Sequence, residues 1–303
     1  MAANDRNSVA AGIRVRESVA GQGSMQAALP EAGTASCPQG NELSHWTREL
    51  LPRPLLAGSR LFRTGDWRSV LTFLLSDEVQ ISLSVRIQLI RRFLSIAAHI
   101  PCEHLQSEML TFVRALLNLS ANVKGCVVEC GCYKGGGTAK LSIAAKLVGR
   151  ELAVFDSFEG IPENREFHGN NIWGGPVAFR DGAYCGSFEE VATNVEKHGE
   201  IGSCRFVKGL FQDTLPALRN PVAVAYLDVD LAASTKTCLQ YLWPLLSVGG
   251  VLFSHDGHLP LVLDVLRDKH FWREQFGSSV PKIHGLGKQK LIWMKKTAAS
   301  NGD

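Results

Sequence analysis

The stretch "VVECGCYKGGGTAK" at residues 127–140 decides the fold, because it joins a short apolar strand to a helix through a glycine-rich loop. Gly131 permits a turn that residues with a side chain rarely make, and the glycines at 135–137 let the backbone approach a ligand closely. A helix that begins near Thr138 presents unpaired N–H groups and a positive dipole end, which suit a carboxylate or a phosphate. The stretch therefore predicts a ligand-binding loop in an α/β fold.

Two common nucleotide-binding fingerprints are absent from this loop. A dinucleotide loop needs G-x-G-x-x-G, whereas the glycines here stand at 131 and at 135–137, and the Gly-Lys-Ser/Thr of a P-loop is missing. A purely structural loop, in which Thr138 only caps the helix, stays open from these residues alone.

An acid at the end of the next strand favours the ligand. The stretch "LAVFDSF" places Asp156 25 residues after Gly131. In nucleoside-binding α/β folds a carboxylate at this position binds the ribose hydroxyls. A turn or cap aspartate is the simpler alternative, but the loop and the acid together predict a nucleoside-containing ligand.

Short apolar strands alternate with helical stretches through the second half of the chain. This alternation predicts a mostly parallel sheet that is covered by helices on both faces. The strands are predicted at 126–130, 151–156, 204–208, 222–228 and 250–254, and the helices at 136–148, 187–198, 234–246 and 259–275. The stretch "VPKIHGLGKQKLIWMKK" predicts a hairpin that places an antiparallel strand at or near the sheet edge.

Three regions are predicted along the chain: a disordered leader over 1–45, a helical cap over 46–120, and the ligand-binding domain over 121–297. Apolar residues at helical spacing form one stripe in the cap, where Arg86, Arg91 and Arg92 are expected on the solvated face. The segment 159–186 has no clean period and is longer than a compact connection needs, which is typical of a lid or a binding loop.

Composition excludes several function classes. The chain has 303 residues, is 45% hydrophobic and 20% charged, and carries a net charge of +3 without a polybasic face, so nucleic acid is not an expected partner. No run approaches the ~20 apolar residues of a membrane span, and no unbroken apolar core marks a signal peptide. Eight cysteines in a chain of this length predict reduced thiols and a cytoplasmic protein.

Several stretches appear in an order that resembles one enzyme family. They are "VVECGCYKGGGTAKLS", "FDSFEGIPE", "VKGLFQDTLP", "YLDVDLAAST" and "LSVGGVLFSHDG". Together they resemble the macrocin-type O-methyltransferases, which are S-adenosylmethionine-dependent enzymes with a Rossmann-like fold. The resemblance covers residues 105–275. It implies a doubly wound, mostly parallel sheet and methylation of a hydroxyl on a small molecule, either a sugar-bearing compound or another secondary metabolite.

The resemblance also implies which residues bind S-adenosylmethionine. The loop after the first strand would wrap the methionine part, Asp156 would hold the ribose, and the "GLFQDT" turn would lie near the adenine. The implied cofactor-binding residues are Glu129, Gly131, Cys132, Tyr133, Lys134, Gly135, Gly136, Thr138, Asp156, Ser157, Phe158, Phe211, Gln212 and Asp228.

A metal site is implied by the same resemblance, with one departure. The family holds Mg²⁺ with three carboxylates, and the first of them also acts as the general base. Here those positions read Asp228, His255 and Asp256. Imidazole suits Zn²⁺, Fe²⁺, Mn²⁺ or Ni²⁺ better than Mg²⁺. Either a divalent metal binds there, or the metal is lost and His255 or His258 serves as the base.

Two further departures concern the loop that carries Asp228. Asp230 is expected to cap the helix that starts near Ser234, or to brace the loop. Ala232 and Ala233 stand where the family usually has an aromatic residue and an acid, so the acceptor pocket is expected to differ.

Alternatives to the enzyme remain open from the sequence. A non-catalytic S-adenosylmethionine-binding partner or scaffold would fit the His255 replacement, and a nucleotide-linked oxidoreductase would use the same sheet. The expected partners are a small-molecule acceptor and, as one option for the apolar stripe of the cap, a second copy of the chain.

Overall fold

The structure is a computed structural model that describes residues 66–298, and this part of the chain forms a seven-stranded sheet with helices on both faces. Within the described residues, three helices precede the sheet: α1 (Asp66–Leu75), α2 (Leu83–His99) and α3 (Gln106–Leu117). The predicted leader at 1–45 and the start of the predicted cap at 46–65 lie outside the described residues.

The sheet is parallel over five strands and antiparallel at one edge. The parallel strands are β1 (Cys126–Cys130), β2 (Leu152–Asp156), β3 (Cys204–Lys208), β4 (Val222–Leu227) and β5 (Leu246–Ser254). β6 (Ile283–His284) and β7 (Ile292–Lys295) are antiparallel, and the order is β3-β2-β1-β4-β5-β7-β6. Strand order reverses between β1 and β4, so a crevice for a ligand is expected beyond their carboxyl ends. The predicted Rossmann-like sheet with an antiparallel C-terminal strand is confirmed.

The helices between the strands follow the prediction, except near the C-terminus. They are α4 (Gly136–Leu147), α5 (Phe188–His198), α6 (Phe211–Thr214), α7 (Ala232–Leu245), α8 (Pro260–Arg267) and α9 (Lys269–Phe276). The single helix predicted at 259–275 is wrong, because Asp268 has extended backbone and its carboxylate caps α9 by accepting the N–H groups of His270 and Phe271. No helix of the described residues is long and apolar enough to cross a membrane.

The helices before β1 share a hydrophobic core with the sheet. The Phe112 ring of α3 lies 5.9 Å from the Tyr226 ring of β4 and 5.6 Å from the Phe253 ring of β5. On the opposite face, Trp243 of α7 packs edge-to-face on Trp272 of α9. The segment that leads into the ligand loop is therefore fixed directly to the sheet.

The sequence predicts Arg86 on a solvated face, but in the structure its side chain connects α2 to the end of α1. Its guanidinium donates hydrogen bonds to backbone carbonyls at the end of α1 and in the following loop, namely those of Phe73, Leu74, Ser76, Val79 and Ile81. Arg92 is also engaged, in an ion pair of 2.6 Å with Glu200, whereas Arg91 is exposed. Helical periodicity locates the face of a residue but not the carbonyls that its side chain reaches.

The cysteines agree with the prediction at most described positions. Cys126, Cys130, Cys132, Cys204 and Cys238 are free thiols, and most of them are buried. Cys185, however, is disulfide-bonded, so the prediction of reduced thiols is wrong at this position.

Candidate active site

The carboxyl ends of β1, β2, β4 and β5 bring the predicted site residues to one edge of the sheet. The N–H of Gly131 donates to the Phe155 carbonyl at 3.0 Å, and the N–H of Asp228 donates to the Cys130 carbonyl at 3.0 Å. The N–H of His255 donates to the Leu227 carbonyl at 2.8 Å. These bonds continue the sheet pairing past the strand ends, so the first residues of the loops are held side by side.

The glycine loop needs its glycines for contacts within the chain. Gly131 has φ +85°, and a Cβ there would lie 2.0 Å from the Asp228 carbonyl oxygen. A Cβ on Gly136 would lie 2.8 Å from the Cβ of Cys102, and one on Gly137 would lie 2.8 Å from Cε1 of His104. Part of the close approach that the sequence predicts is therefore made by the segment between α2 and α3.

Buried polar atoms remain free where β1 passes into α4. Oε2 of Glu129 and Oγ1 of Thr138 are buried and have no hydrogen-bond partner among the described residues. Burial, reinforced by the charges of Asp156 and Asp228, raises the pKa of Glu129 well above its usual range. Unsatisfied buried polar groups are costly, and a ligand with a polar end would satisfy them.

Asp156 ends β2 beside this loop. Its carboxylate accepts the N–H of Cys132 at 2.6 Å and the N–H of Phe158 at 2.7 Å. Burial raises the pKa of Asp156, although these backbone hydrogen bonds act in the opposite direction. The Asp156 carbonyl accepts the N–H of Gly209 at 2.9 Å, which brings the turn at 211–212 alongside.

Several other predicted cofactor residues have side chains that already contact the rest of the protein. The ring of Phe158 is buried against Phe188 and Phe206, and the hydroxyl of Ser157 donates to the Gly160 carbonyl, so both side chains are occupied by the fold. Lys134 pairs with Glu190 at 3.0 Å.

Two aromatic rings and an amide lie nearer to the surface. Tyr133 packs edge-to-face on Tyr184 of segment 159–186. Phe211 is half-buried, and Gln212 beside it is exposed. These three side chains are free to contact a ligand that lies along the loop.

Asp228 is the centre of a histidine network at the end of β4. Oδ2 of Asp228 lies 3.1 Å from Nε2 of His104, and Oδ1 lies 3.2 Å from Nδ1 of His255. The other ring nitrogen of His255, Nε2, lies 3.1 Å from Oε2 of Glu108. His255 is fully buried. The His255 imidazole is therefore held between two carboxylates.

The groups in this network shift one another's pKa values. Burial alone would raise the pKa of Asp228, but the charge of His255 and hydrogen bonds from His104 and His255 hold it well below its usual range. Burial would lower the pKa of His255, but the Asp228 charge and hydrogen bonds to Asp228 and Glu108 raise it to about 9.

A second cluster is formed by Asp228, Asp230 and Asp256, and it uses oxygen atoms alone. Oδ2 of Asp256 accepts the N–H groups of Val229 and Asp230, whereas its buried Oδ1 has no partner among the described residues. Burial and the Asp228 charge raise the pKa of Asp256 to about 6. Two of the predicted metal ligands, His255 and Asp256, therefore belong to different clusters that share Asp228.

The sequence predicts that Asp230 caps the following helix or braces the loop. In the structure Asp230 does not cap this helix. The N–H groups of Ala232 and Ala233, which open α7, donate at 2.8 Å to the carboxylate of Glu166. Glu166 belongs to segment 159–186, so this segment supplies the carboxylate at the helix N-terminus from a distance. Asp230, with a left-handed φ of 61°, instead faces Asp228 and Asp256.

Segment 159–186 also contacts the loop that follows β5. The N–H of Ile172 donates to the His258 carbonyl at 3.0 Å, and the Trp173 ring stacks on the His258 ring at 5.8 Å. Trp173 is 58% exposed and Phe167 is 88% exposed. The segment therefore presents aromatic surface close to the loop that carries Asp256.

Sequence reasoning missed His104, Glu108 and Glu166. His104 and Glu108 occur in "PCEHLQSE", four residues apart at the start of an apolar helix, and both are buried. Ionisable residues on the buried side of a helix start are the signal that could have found them. Glu166 lies in an aperiodic segment that gives no such signal.

Comparisons with known proteins give one consistent result. A model of the macrocin-O-methyltransferase family (TylF) matches residues 107–274, which is more than half of the chain. The 8-demethyl-8-(2,3-dimethoxy-alpha-L-rhamnosyl)-tetracenomycin-C 4'-O-methyltransferase of Streptomyces olivaceus is 34% identical over 198 residues, which cover 60% of this chain and 70% of that protein. The mycinamicin III 3''-O-methyltransferase of Micromonospora griseorubida is 27% identical over 184 residues, 58% of this chain and 71% of that protein.

A solved structure agrees in fold. The O-methyltransferase NovP matches with a TM-score of 0.53 and 26% identity, over 64% of this chain and 81% of that chain.

Proposed function

Because the chain belongs to the macrocin-O-methyltransferase family, and is therefore an S-adenosylmethionine-dependent O-methyltransferase, we propose that it methylates a sugar hydroxyl of a small secondary metabolite. One observation carries the proposal: the glycine loop, Asp156 and Asp228 meet at the strand-order switch of the sheet. The sugar is proposed because the name of the Streptomyces olivaceus relative specifies a rhamnosyl-bearing compound. Family membership also favours the enzyme over a non-catalytic scaffold or an oxidoreductase.

The free polar atoms at the ligand loop support the proposed cofactor residues. S-adenosylmethionine, when bound, supplies an activated methyl group on a sulfonium. Glu129 and Thr138 have unsatisfied oxygens for the polar end of its methionine part. Asp156 is proposed to accept hydrogen bonds from the ribose hydroxyls in addition to its backbone bonds. The exposed Gln212 and the half-buried Phe211 are proposed to flank the adenine.

Asp228 is proposed to receive the acceptor hydroxyl. Methyl transfer is an in-line displacement, so the enzyme must aim the oxygen and accept its proton. Asp228 is an ionised carboxylate at the crevice, and its side chain is 26% exposed although its histidine partners are buried. His104 and His255 fix both oxygens of this carboxylate and hence its direction. His255 is proposed as the catalytic partner that balances the Asp228 charge.

A divalent cation, Mg²⁺ or another, is proposed to bind at Asp228, which both carboxylate-containing clusters share. The predicted ligands His255 and Asp256 each belong to one of these clusters, and the unpaired Oδ1 of Asp256 leaves a donor atom free. Such a cation lowers the pKa of a bound hydroxyl.

Segment 159–186 is proposed to be the lid over the acceptor. Its bonds to the helix start at 232–233 and to His258 hold it against both loops that carry acidic residues. The exposed face of Trp173 offers a flat apolar surface, against which the C–H face of a sugar ring would pack. Trp173→Ala is expected to raise KM for the acceptor while S-adenosylhomocysteine binding stays unchanged.

A homodimer through α1 and α2 is proposed as well. Large apolar side chains are exposed along α1 and at the start of α2, namely Trp67, Leu71, Leu75, Leu83 and Ile87. Such stripes commonly mark interfaces. Light scattering after size-exclusion chromatography tests this, with a dimer expected for the native chain and a monomer for Leu71→Glu. A monomeric native chain would reject it.

The enzyme activity is tested with S-adenosylmethionine and a panel of deoxysugar-bearing and sugar-free hydroxyl compounds, with methylated products identified by mass spectrometry. The native chain is expected to methylate members of the sugar-bearing group. Asp228→Asn is expected to lose most of its turnover while remaining folded, whereas Asp264→Asn, on the exposed side of α8, is the matched control. Turnover unchanged in Asp228→Asn would remove its proposed role, and methylation of sugar-free compounds alone would remove the sugar.

A further inference from the structure

We infer that His104, Asp228 and His255 form a site for a borderline transition-metal ion such as Zn²⁺, Mn²⁺, Fe²⁺ or Ni²⁺, with His104 as a ligand from outside the sheet. Nε2 of His104, Nδ1 of His255 and an Asp228 oxygen lie within 4.8 Å of one another. The inference concerns the identity and the ligands of the cation proposed at Asp228, but it does not depend on the acceptor.

The spacing of the three donor atoms suits a small ion. Asp228 lies 3.1 Å from the His104 nitrogen and 3.2 Å from the His255 nitrogen. Ligand atoms of a tetrahedral zinc site with bonds of about 2.0–2.1 Å are about 3.4 Å apart. An ion between these donors therefore requires only small side-chain movements. A site with three protein ligands also leaves a fourth position, as catalytic metal sites do.

Glu108 gives the site the outer support that metal-bound histidines usually have. Its carboxylate lies 3.1 Å from Nε2 of His255, the nitrogen that does not face Asp228. A carboxylate at this position fixes the ring orientation and the tautomer, so that Nδ1 presents its lone pair to a metal. Oε2 of Glu108 also accepts the N–H of Leu105 at 2.6 Å, which ties it to the helix start next to His104.

The chemistry of the donors separates this site from the all-oxygen cluster. Two imidazoles and one carboxylate favour borderline ions, whereas Mg²⁺ prefers oxygen ligands in octahedral geometry. His255 belongs only to the first group of donor atoms, and Asp230 and Asp256 belong only to the second. His104 and His255 thus both reach the carboxylate of Asp228.

The test is a titration of the metal-free, full-length chain with Zn²⁺, Co²⁺ and Mg²⁺, without cofactor or acceptor. We expect Zn²⁺ to bind at least tenfold more tightly than Mg²⁺, and bound Co²⁺ to show the visible absorption of a nitrogen-ligated ion. H104Q and H255Q are expected to weaken Zn²⁺ binding by at least about tenfold, and E108Q by about 10–100-fold. The control H270N, at an exposed histidine of α9, should keep native Zn²⁺ affinity, and D230N in the all-oxygen cluster should weaken it less than H104Q does.

Three results would overturn the inference. They are Mg²⁺ binding as tightly as Zn²⁺, a Co²⁺ spectrum of an all-oxygen site, and Zn²⁺ affinity that falls in D230N but not in H104Q. Each variant is compared only after thermal unfolding shows that it is folded. If H104Q does not fold, the Co²⁺ spectrum of the native chain still decides between nitrogen and oxygen ligands. Binding of S-adenosylhomocysteine by the metal-free chain is measured separately. If the cofactor product binds but Zn²⁺ does not, the metal site is wrong while the methyltransferase function still stands.

Discussion

At the scale of single residues, the glycines of the ligand loop are required by contacts within the chain as well as by the proposed ligand. The backbone at Gly136 and Gly137 packs on Cys102 and His104, so the loop, the helix-connecting segment and Asp228 form one contact chain. Lys140 of α4 is fully buried and donates to the Cys102 thiol at 3.4 Å. A change in the glycine loop is therefore transmitted to the residues that orient Asp228.

Gly137→Ala tests this contact. The new Cβ would lie 2.8 Å from Cε1 of His104 and 3.1 Å from Oε1 of Glu129, so one of these buried side chains must move. We expect a loss of about 1–3 kcal/mol in the free energy of unfolding, although alanine is the better helix former by about 1 kcal/mol. Urea denaturation measures it. Gly202→Ala is the control, because nothing lies within 4 Å of a Cβ there; equal stability of the two variants would contradict the contact.

Asp156→Asn tests the ribose assignment. The amide keeps one acceptor oxygen but loses the charge, and its NH₂ group would face one of the two backbone N–H groups that the carboxylate now accepts. Charge-assisted hydrogen bonds are worth about 1.5–3 kcal/mol, so S-adenosylhomocysteine binding should weaken by about tenfold or more. Calorimetric titration of the folded variant gives the result. A change of less than about threefold would count against the assignment.

At the scale of elements, the sequence predicts strands better than the joints between helices. The runs at 126–130 and 204–208 are short, apolar and bounded by turn residues, so their ends are visible in the sequence. The break between α8 and α9 depends on one residue, Asp268, whose side chain caps the second helix. Helical periodicity continues across such a break, because a change of helix axis leaves the spacing of apolar residues almost unaltered.

Arg86→Ala tests the connection between α1 and α2. The guanidinium, which is partly buried, satisfies carbonyls at the end of α1 and in the loop after it, and alanine would leave them without this donor. We expect a loss of about 1.5–3 kcal/mol in the free energy of unfolding, the usual worth of hydrogen bonds to a charged group. The matched control is Arg91→Ala on the exposed side of α2, expected within about 0.5 kcal/mol of the native chain. Chemical denaturation measures both, and equal losses would contradict the role of Arg86.

At the scale of the whole molecule, the half of the site built on strand ends is predictable and the half built by packing is not. Asp156, Asp228 and the glycine loop follow strands, and parallel strands bring their carboxyl ends to one edge. His104 lies 124 positions before Asp228 in the chain and reaches it only because α3 packs on the sheet. Side-chain contacts over such separations depend on how helices sit on the sheet, which the spacing of apolar residues does not specify.

Cofactor binding should stabilise the described domain as one unit, since the ligand loop is connected to the sheet and to the helices before it. A ligand that binds only the folded chain adds RT ln(1 + [L]/Kd), about 2.7 kcal/mol at a hundredfold excess over Kd. For a domain of this size that free energy corresponds to a rise in Tm of roughly 5–10 °C. We expect this rise with S-adenosylhomocysteine, a smaller one in Asp156→Asn, and none with a nicotinamide dinucleotide, as measured by scanning calorimetry. Protection by the dinucleotide alone would instead favour an oxidoreductase, because the same switch point of an α/β sheet serves both ligand classes.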